Sequence, residues 1–218
     1  MALNALVLPA ALGYLGSRIA GGATSDAFWV TGAVVLGCAN LAISQVATAM
    51  SADRFSGRGR LLICNGVSRP AYLWAHLIFA VMAAVLILGV ATLTGVSLGL
   101  VRSDWWTLPS VVSAGVITGV ALGSIGAIVA AQGKDRVGVT NATVLIGLLV
   151  PMASPLLYPV PTDQWAHLLS LISPATAVVE LVRGTTGAAQ PFPFAATAGG
   201  VIALVVFPLV ASRCVRWS

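Results

Sequence analysis

The sequence contains very little charge. Only 8% of its 218 residues are Asp, Glu, Lys or Arg, whereas soluble domains carry about 25%. A soluble fold of this length needs more charge to cover its surface with water-compatible groups. In addition, 58% of the residues are hydrophobic and the mean hydropathy is +0.99. These values exclude an ordinary soluble domain and predict that lipid covers the outer surface.

The sequence also lacks the residue sets of common catalytic sites. His76 and His167 stand alone, no H-E-x-x-H pattern occurs, and no acid–base pair lies within an apolar run. The G-x-S-x-G match at 95–99 ends an apolar run, not a strand-to-helix turn, and is interpreted as coincidence. The run 126–134 has the wrong spacing for a P-loop, and Asp135 replaces the required Ser or Thr. We therefore expect no catalytic residue, cofactor, metal site or ATP hydrolysis in this chain.

Long runs without charge predict transmembrane helices. Crossing the hydrocarbon takes roughly 20 helical residues, whereas barrel strands are about 10 residues long and alternate in polarity. An opening run holds only Arg18 and lacks the positive n-region of a signal peptide, so it is interpreted as a retained span. The predicted spans are about 3–22, 27–50, 71–99, 106–132, 138–158 and 194–213. The fold class predicted is an all-α, polytopic integral membrane protein with six transmembrane helices.

Lys and Arg are distributed unevenly between alternate gaps. Eight lie on one side: Arg54, Arg58, Arg60, Arg69, Lys134, Arg136, Arg213 and Arg216. Three lie on the other: Arg18, Arg102 and Arg183. The positive-inside rule places both termini in the cytoplasm, with the chain in the inner or plasma membrane. This asymmetry also explains the net charge of +5 without a nucleic-acid partner, and it leaves Cys38, Cys64 and Cys214 without a disulfide.

Small residues recur along the predicted fourth span. Gly115, Gly119 and Gly123 follow one another at four-residue spacing, which places them on one helix face. Such stripes let two helix backbones approach closely in a membrane. We expect a contact between helices of the same chain; the alternative is an interface between subunits.

The segment 51–66, between the second and third predicted spans, has helical periodicity. One side gathers Ala52, Phe55, Gly59, Leu62, Ile63 and Gly66. This pattern predicts a short cytoplasmic amphipathic helix along the membrane surface, although Leu61 breaks it. Gly57 and Gly59 each cost about 1 kcal/mol of helix propensity. The alternative is a solvated basic loop that only fixes orientation.

The segment 159–183 is bracketed by prolines and is too short to span comfortably. We predict a re-entrant helical hairpin in the outer half of the bilayer, with Trp165 at the interface. Glu180 then needs a partner, and Arg183 is the nearest candidate at i+3. The alternative is an exposed helical contact worth only tenths of a kcal/mol.

Two segments resemble the membrane subunits of type 2 ABC exporters. Residues 60–76 are similar to that family's run of hydrophobic residues, its Val-Ser-Arg turn and the Tyr-Leu that enters the third span. Residues 141–183 resemble its fifth span and outer hairpin, through Pro151, Pro159, Trp165, Ser173-Pro174, Val179-Glu180 and Arg183. The sequence departs from the family where Arg60 stands for a frequent Glu, Asn65-Gly66 for Thr-Pro, and His76 for Lys.

The resemblance implies a homodimer or a heterodimer with a second permease, docked to a separate cytoplasmic ABC ATPase that holds ATP and Mg. The implied docking residues are Phe55, Arg58, Arg60, Leu61 and Leu62. The implied hairpin residues are Trp165, Pro174, Glu180 and Arg183. The substrate class is amphiphilic: a drug or antibiotic, a peptide, a lipid or a glycan. The alternatives are a secondary carrier or channel, and a haem-exporting subunit of cytochrome c maturation.

Overall fold

The computed structural model describes residues 26–97, 107–156, 170, 173–186 and 194–215. The predicted first span over 3–22 and Trp165 lie outside these ranges. Of the described residues, 90% are helical and none is in a strand, so this part of the chain is all-α as predicted. The helices in these ranges that are long and apolar enough to cross a membrane are Val30–Phe55, Arg69–Ser97 and Thr107–Gln132.

The described helices follow the predicted spans closely. In chain order they are α1 (Asp26–Phe55), α2 (Arg58–Cys64), α3 (Arg69–Ser97), α4 (Thr107–Ile117), α5 (Gly123–Gln132), α6 (Arg136–Met152), α7 (Pro174–Thr186) and α8 (Phe194–Cys214). A π-helical segment, Thr118–Leu122, joins α4 to α5, so the two form one continuous rod. Both α6 and α8 contain shorter apolar stretches, Arg136–Val150 and Gly199–Cys214.

A glycine divides the segment that the sequence predicted as one helix over 51–66. Gly57 has φ 78°, in the left-handed region that glycine favours. Its N–H donates to the Arg54 carbonyl at 3.3 Å, which closes the last turn of α1. Residues 51–55 therefore belong to the long α1, and the separate short helix is only α2. The predicted single helix over 51–66 is wrong in this respect.

The connection from α2 to α3 is fixed by local hydrogen bonds. Val67 N–H donates to the Leu62 carbonyl at 3.1 Å and Gly66 N–H to the Ile63 carbonyl at 3.0 Å. With Gly66 at φ 89°, this is a Schellman ending of α2. Ser68 Oγ then accepts from the Ala71 N–H at 3.3 Å and caps the start of α3. The chain thus reverses direction within a few residues.

The long helices differ in how deeply they are buried. The most apolar window of α1 is 67% buried and that of the α4–α5 rod 78%, whereas that of α3 is only 22% buried. The rod and α1 therefore form the centre, and α3 lies at the periphery. Its outward side chains are Trp74, Ile78, Phe79, Met82, Leu86, Val90 and Leu93. Exposed apolar residues at this spacing are what a lipid-facing helix requires.

The glycine stripe lies against α3 of the same chain. A side chain at Gly115 would meet Val85, and one at Gly119 would meet the backbone of Val81. At Gly123 the neighbour would be the end of the Leu77 side chain, at 3.1 Å. The absence of side chains at Gly115 and Gly119 therefore lets α3 approach the rod closely.

Replacing Gly119 with Ala should lower the free energy of unfolding by about 1–3 kcal/mol, because a methyl group there overlaps the Val81 backbone. Gly89→Ala is a matched control, since a side chain at Gly89 meets no atom within 4 Å. We expect Gly89→Ala to leave stability unchanged or to raise it slightly through helix propensity. Thermal unfolding in detergent measures both variants, and equal midpoints would contradict the close-packing assignment.

Candidate functional site

Several helix ends meet at one end of the molecule. The end of α1, the start of α3, the end of α5 and the end of α8 share a core cluster that includes Met50, Tyr72, Ala130 and Ala211. Seven described basic residues flank this end: Arg54, Arg58, Arg60, Arg69, Lys134, Arg136 and Arg213. By contrast α7, which carries Arg183, packs at the other end against the first half of α1 and the start of α4. We call the first of these the basic end.

Helix α2 presents apolar side chains to solvent at the basic end. Leu61 is 64% exposed and Leu62 39% exposed, and Arg58 and Arg60 beside them are also exposed. The buried residue of α2 is Gly59, so Gly59 and Leu62 do not share a buried face as the sequence pattern suggested.

Phe55 is placed differently from the other predicted docking residues. It ends α1 and packs against Ala47, Val129 and Val139, so it belongs to the interior between α1, α5 and α6. The structure thus brings Arg58, Arg60, Leu61 and Leu62 together on one exposed helix and leaves Phe55 beneath it. We call the surface formed by these four residues the α2 surface.

Arg54 joins the last turn of α1 to the end of α5. Its Nη1 donates to the carbonyl oxygens of Ala130 and Ala131 at 2.9 Å each, and of Gly133 at 2.8 Å. These carbonyls lie at the negative end of the helix dipole, where a guanidinium is stabilising. The sequence showed Arg54 only as a loop charge, because its partners are 76 to 79 residues away.

The neighbouring Asp53 joins the same turn of α1 to α3. The Tyr72 hydroxyl donates to Asp53 Oδ2 at 3.0 Å, and His76 Nε2 lies 3.6 Å from the same oxygen. The Tyr72 and His76 rings meet edge to face, with centroids 4.7 Å apart. His76 therefore does not stand alone, as the sequence suggested. The i, i+4 spacing of Tyr72 and His76 was the one local sign that they share a face.

A buried ion pair occupies the opposite end of the molecule. Arg183 is 1% exposed, and its Nη1 lies 3.5 Å from Glu180 Oε1. Its Nη2 donates to the Leu156 carbonyl at 3.0 Å. The side chain of Glu180 is only 8% exposed, so the exposed contact considered from the sequence is wrong. Pro174 is the first residue of α7, a position where the missing N–H costs nothing.

Burial and pairing act in opposite directions on these two groups. Burial lowers the pKa of Arg183 to about 10, although Glu180 opposes this fall. At neutral pH the guanidinium therefore remains protonated. Burial raises the pKa of Glu180, while the positive charge of Arg183 works against the rise. The second carboxylate oxygen of Glu180 is buried without a hydrogen-bond partner in the described part of the chain.

These clusters hold helices together and present a surface; they do not supply reactive groups. Across the ranges that the structure describes, no three His, Cys, Asp or Glu side chains lie close enough to hold a metal ion. Cys38, Cys64 and Cys214 are free thiols, of which Cys64 on α2 is exposed. No protein-family model and no curated protein matches the chain.

Proposed function

We propose that this chain is the membrane subunit of an ATP-driven exporter of the type 2 ABC class, which moves an amphiphilic substrate out of the cell. The observation that carries the proposal is the α2 surface. Two apolar helices of membrane length are joined at the basic end by a short helix that exposes Leu61 and Leu62 between arginines. An apolar centre with a charged rim suits a protein partner. Since this chain has no phosphate-binding loop, ATP and Mg belong to a separate cytoplasmic ATPase.

The proposed topology follows from the charge distribution of the folded chain. The basic end faces the cytoplasm, with both termini on that side, and α7 lies at the outer face. The chain crosses the membrane six times, with the spans listed above, and 159–183 forms a re-entrant hairpin. Ser173 Oγ, just before α7, donates to the Val150 carbonyl at 3.3 Å, which holds this part of the hairpin against α6.

Charge placement also favours ATP coupling over a proton-driven carrier. In α1, α3, the α4–α5 rod, α6 and α8, Asp, Glu, Lys and Arg occur only in the terminal turns. Carriers driven by protons usually place an acid or histidine in the middle of a span. The buried Glu180 is paired with Arg183 and lies on α7, outside these helices. The apolar faces of α3, α6 and α8 are available to lipid and to a second permease, identical or different.

Reconstitution with a partner ATPase tests the proposal. The chain is co-expressed with candidate ABC ATPases, and the complex that co-purifies is placed in vesicles with a fluorescent amphiphile. We expect transport that requires ATP and stops when the phosphate-binding lysine of the partner is replaced. Transport that continues without any ATPase but collapses with a protonophore would instead identify a secondary carrier.

Thiol labelling tests the orientation. Cys64 on α2 is exposed at the basic end, and Gly184 on α7 is exposed at the opposite end. In intact cells an impermeant maleimide should leave Cys64 unmodified until the membrane is permeabilised. Gly184→Cys, in a background without Cys64 and Cys214, should react from outside. Rapid modification of Cys64 in intact cells would overturn the orientation, and equal protection of Gly184→Cys would argue against an outer hairpin.

A further inference from the structure

We propose that Arg54 is a positioning residue that carries the movement of α2 into the α4–α5 rod. The inference deepens the proposed function and rests on it: a partner ATPase that docks on the α2 surface must move something inside the membrane. Arg54 is the side chain that joins the turn next to α2 to the end of the central rod. The transmission step is thus assigned to an ionic cap between two helices.

The first step is the attachment of α2 to α1. Only Ser56 and Gly57 separate the two helices, and Arg54 lies three residues before Gly57. A force on α2 is therefore applied directly to the last turn of α1. The neighbouring Asp53 holds this turn to α3 through Tyr72 at 3.0 Å. The turn is consequently held from two sides, by α3 and by α5.

The second step is the grip of Arg54 on α5. One guanidinium nitrogen lies within 2.9 Å of three carbonyl oxygens that end the helix. Its charge is placed at the negative end of the helix dipole, in a partly buried site where electrostatic attraction is stronger than in water. A displacement of the α1 end therefore pulls on Ala130 to Gly133 instead of sliding past them.

The third step is the continuity of α5 with α4. Gln132 and Thr107 are the two ends of one rod, which is 78% buried and lies at the centre of the molecule. Its upper part contacts α3 through Gly115 and Gly119, and its lower part contacts α1 at Gly126. Motion applied at the basic end of this rod reaches the packed interior of the bundle, whereas motion of the peripheral α3 would mainly rearrange exposed side chains.

The test separates coupling from simple stabilisation. Arg54→Gln, Arg54→Lys and the control Arg213→Gln are each reconstituted with the partner ATPase, and substrate moved per ATP hydrolysed is measured in the folded fraction. Arg213 is also basic and exposed, and it lies in the last turn of α8 at the same end. We expect Arg54→Gln to bind the ATPase and hydrolyse ATP, but to move about tenfold less substrate per ATP. Arg54→Lys should retain most of the coupling, because an ammonium can donate to the same carbonyls, and Arg213→Gln should match the wild type.

A distance measurement gives a second readout. Spin labels at Arg60→Cys and Gln132→Cys, in a background free of the three native cysteines, report the separation of α2 from the end of α5. In the wild-type sequence at position 54 this distance should stay constant when ATP binds, because the two ends move together. With Arg54→Gln it should change.

Each outcome decides one question. If Arg54→Gln lowers the unfolding temperature but leaves substrate moved per ATP unchanged, the residue is only a stabilising cap and the inference is wrong. If the wild-type chain transports without any ATPase, the proposed function fails first. If wild type and Arg54→Gln couple equally well to the same ATPase, the proposed function stands and the role of Arg54 does not.

Discussion

Replacing Arg183 with Met should lower the free energy of unfolding by about 3–5 kcal/mol, the usual cost of breaking a buried ion pair. The guanidinium is 1% exposed and serves both Glu180 and the Leu156 carbonyl. Removing it leaves a buried carboxylate that already has one oxygen without a partner. Denaturant unfolding in detergent measures the loss.

Two further variants make this expectation specific. Glu180→Leu combined with Arg183→Met should be less destabilised than Arg183→Met alone, because removing both charges leaves no unpaired group. Gly184→Ser, at the exposed neighbour of Arg183, should behave like the wild type. If the double variant were as unstable as the single one, the cost would come from lost packing and not from the charge of Glu180.

Replacing Gly57 with Pro should reduce ATP-dependent export to background while the chain still inserts into the membrane. Proline fixes φ near −65°, whereas Gly57 has φ 78°, and it also removes the N–H that donates to the Arg54 carbonyl. The angle between α1 and α2 must then change. Gly57→Ala should cost about 1–2 kcal/mol, the penalty of a side chain in a left-handed conformation, and should leave partial export. Export at matched subunit levels measures both variants.

Replacing Leu62 with Asp should likewise abolish export, because it places a charge in the apolar part of the α2 surface, where the ATPase is proposed to dock. Co-purification of the ATPase should fail with this variant, whereas with Gly57→Pro a distorted complex should still form. Arg58→Ala is the mild control, since an exposed ionic contact contributes little. Full export by both Leu62→Asp and Gly57→Pro would remove the case for α2 as the docking helix.

The ends of the described spans were predictable because apolar runs stop at charged residues. The run to Met50 was extended by the structure to Phe55, since Ser51 and the residues after it continue the helix until Gly57. The sequence could not show which of Gly57 and Gly59 ends a helix, because both are exposed to the same propensity argument. In the structure Gly59 lies in the first turn of α2, where a backbone N–H is not needed by the helix, so Gly57 is the sensitive glycine.

The contacts of the candidate site were less predictable. Arg54 finds its carbonyl partners only because α1 and α5 end at the same level, and this depends on the packing of the whole bundle. The pairing of Glu180 with Arg183 was anticipated from their i+3 spacing, but their burial depends on α7 lying against α1, α4 and α8. Local spacing indicates which side chains can meet; the depth at which they meet is a tertiary property.

The π-helical segment Thr118–Leu122 has a consequence for how the central rod tolerates insertions and deletions. All five of its residues are buried. An α-helix turns by about 100° per residue, so removing one residue here would let the rod continue as a regular helix and rotate everything after it by about that angle. Gly126, which now lies against Ile43 of α1, would then point elsewhere, as would the carbonyls that Arg54 binds. A single-residue deletion within 118–122 would therefore act on contacts at both ends of α5, whereas a deletion in an exposed loop would change only the length of the loop.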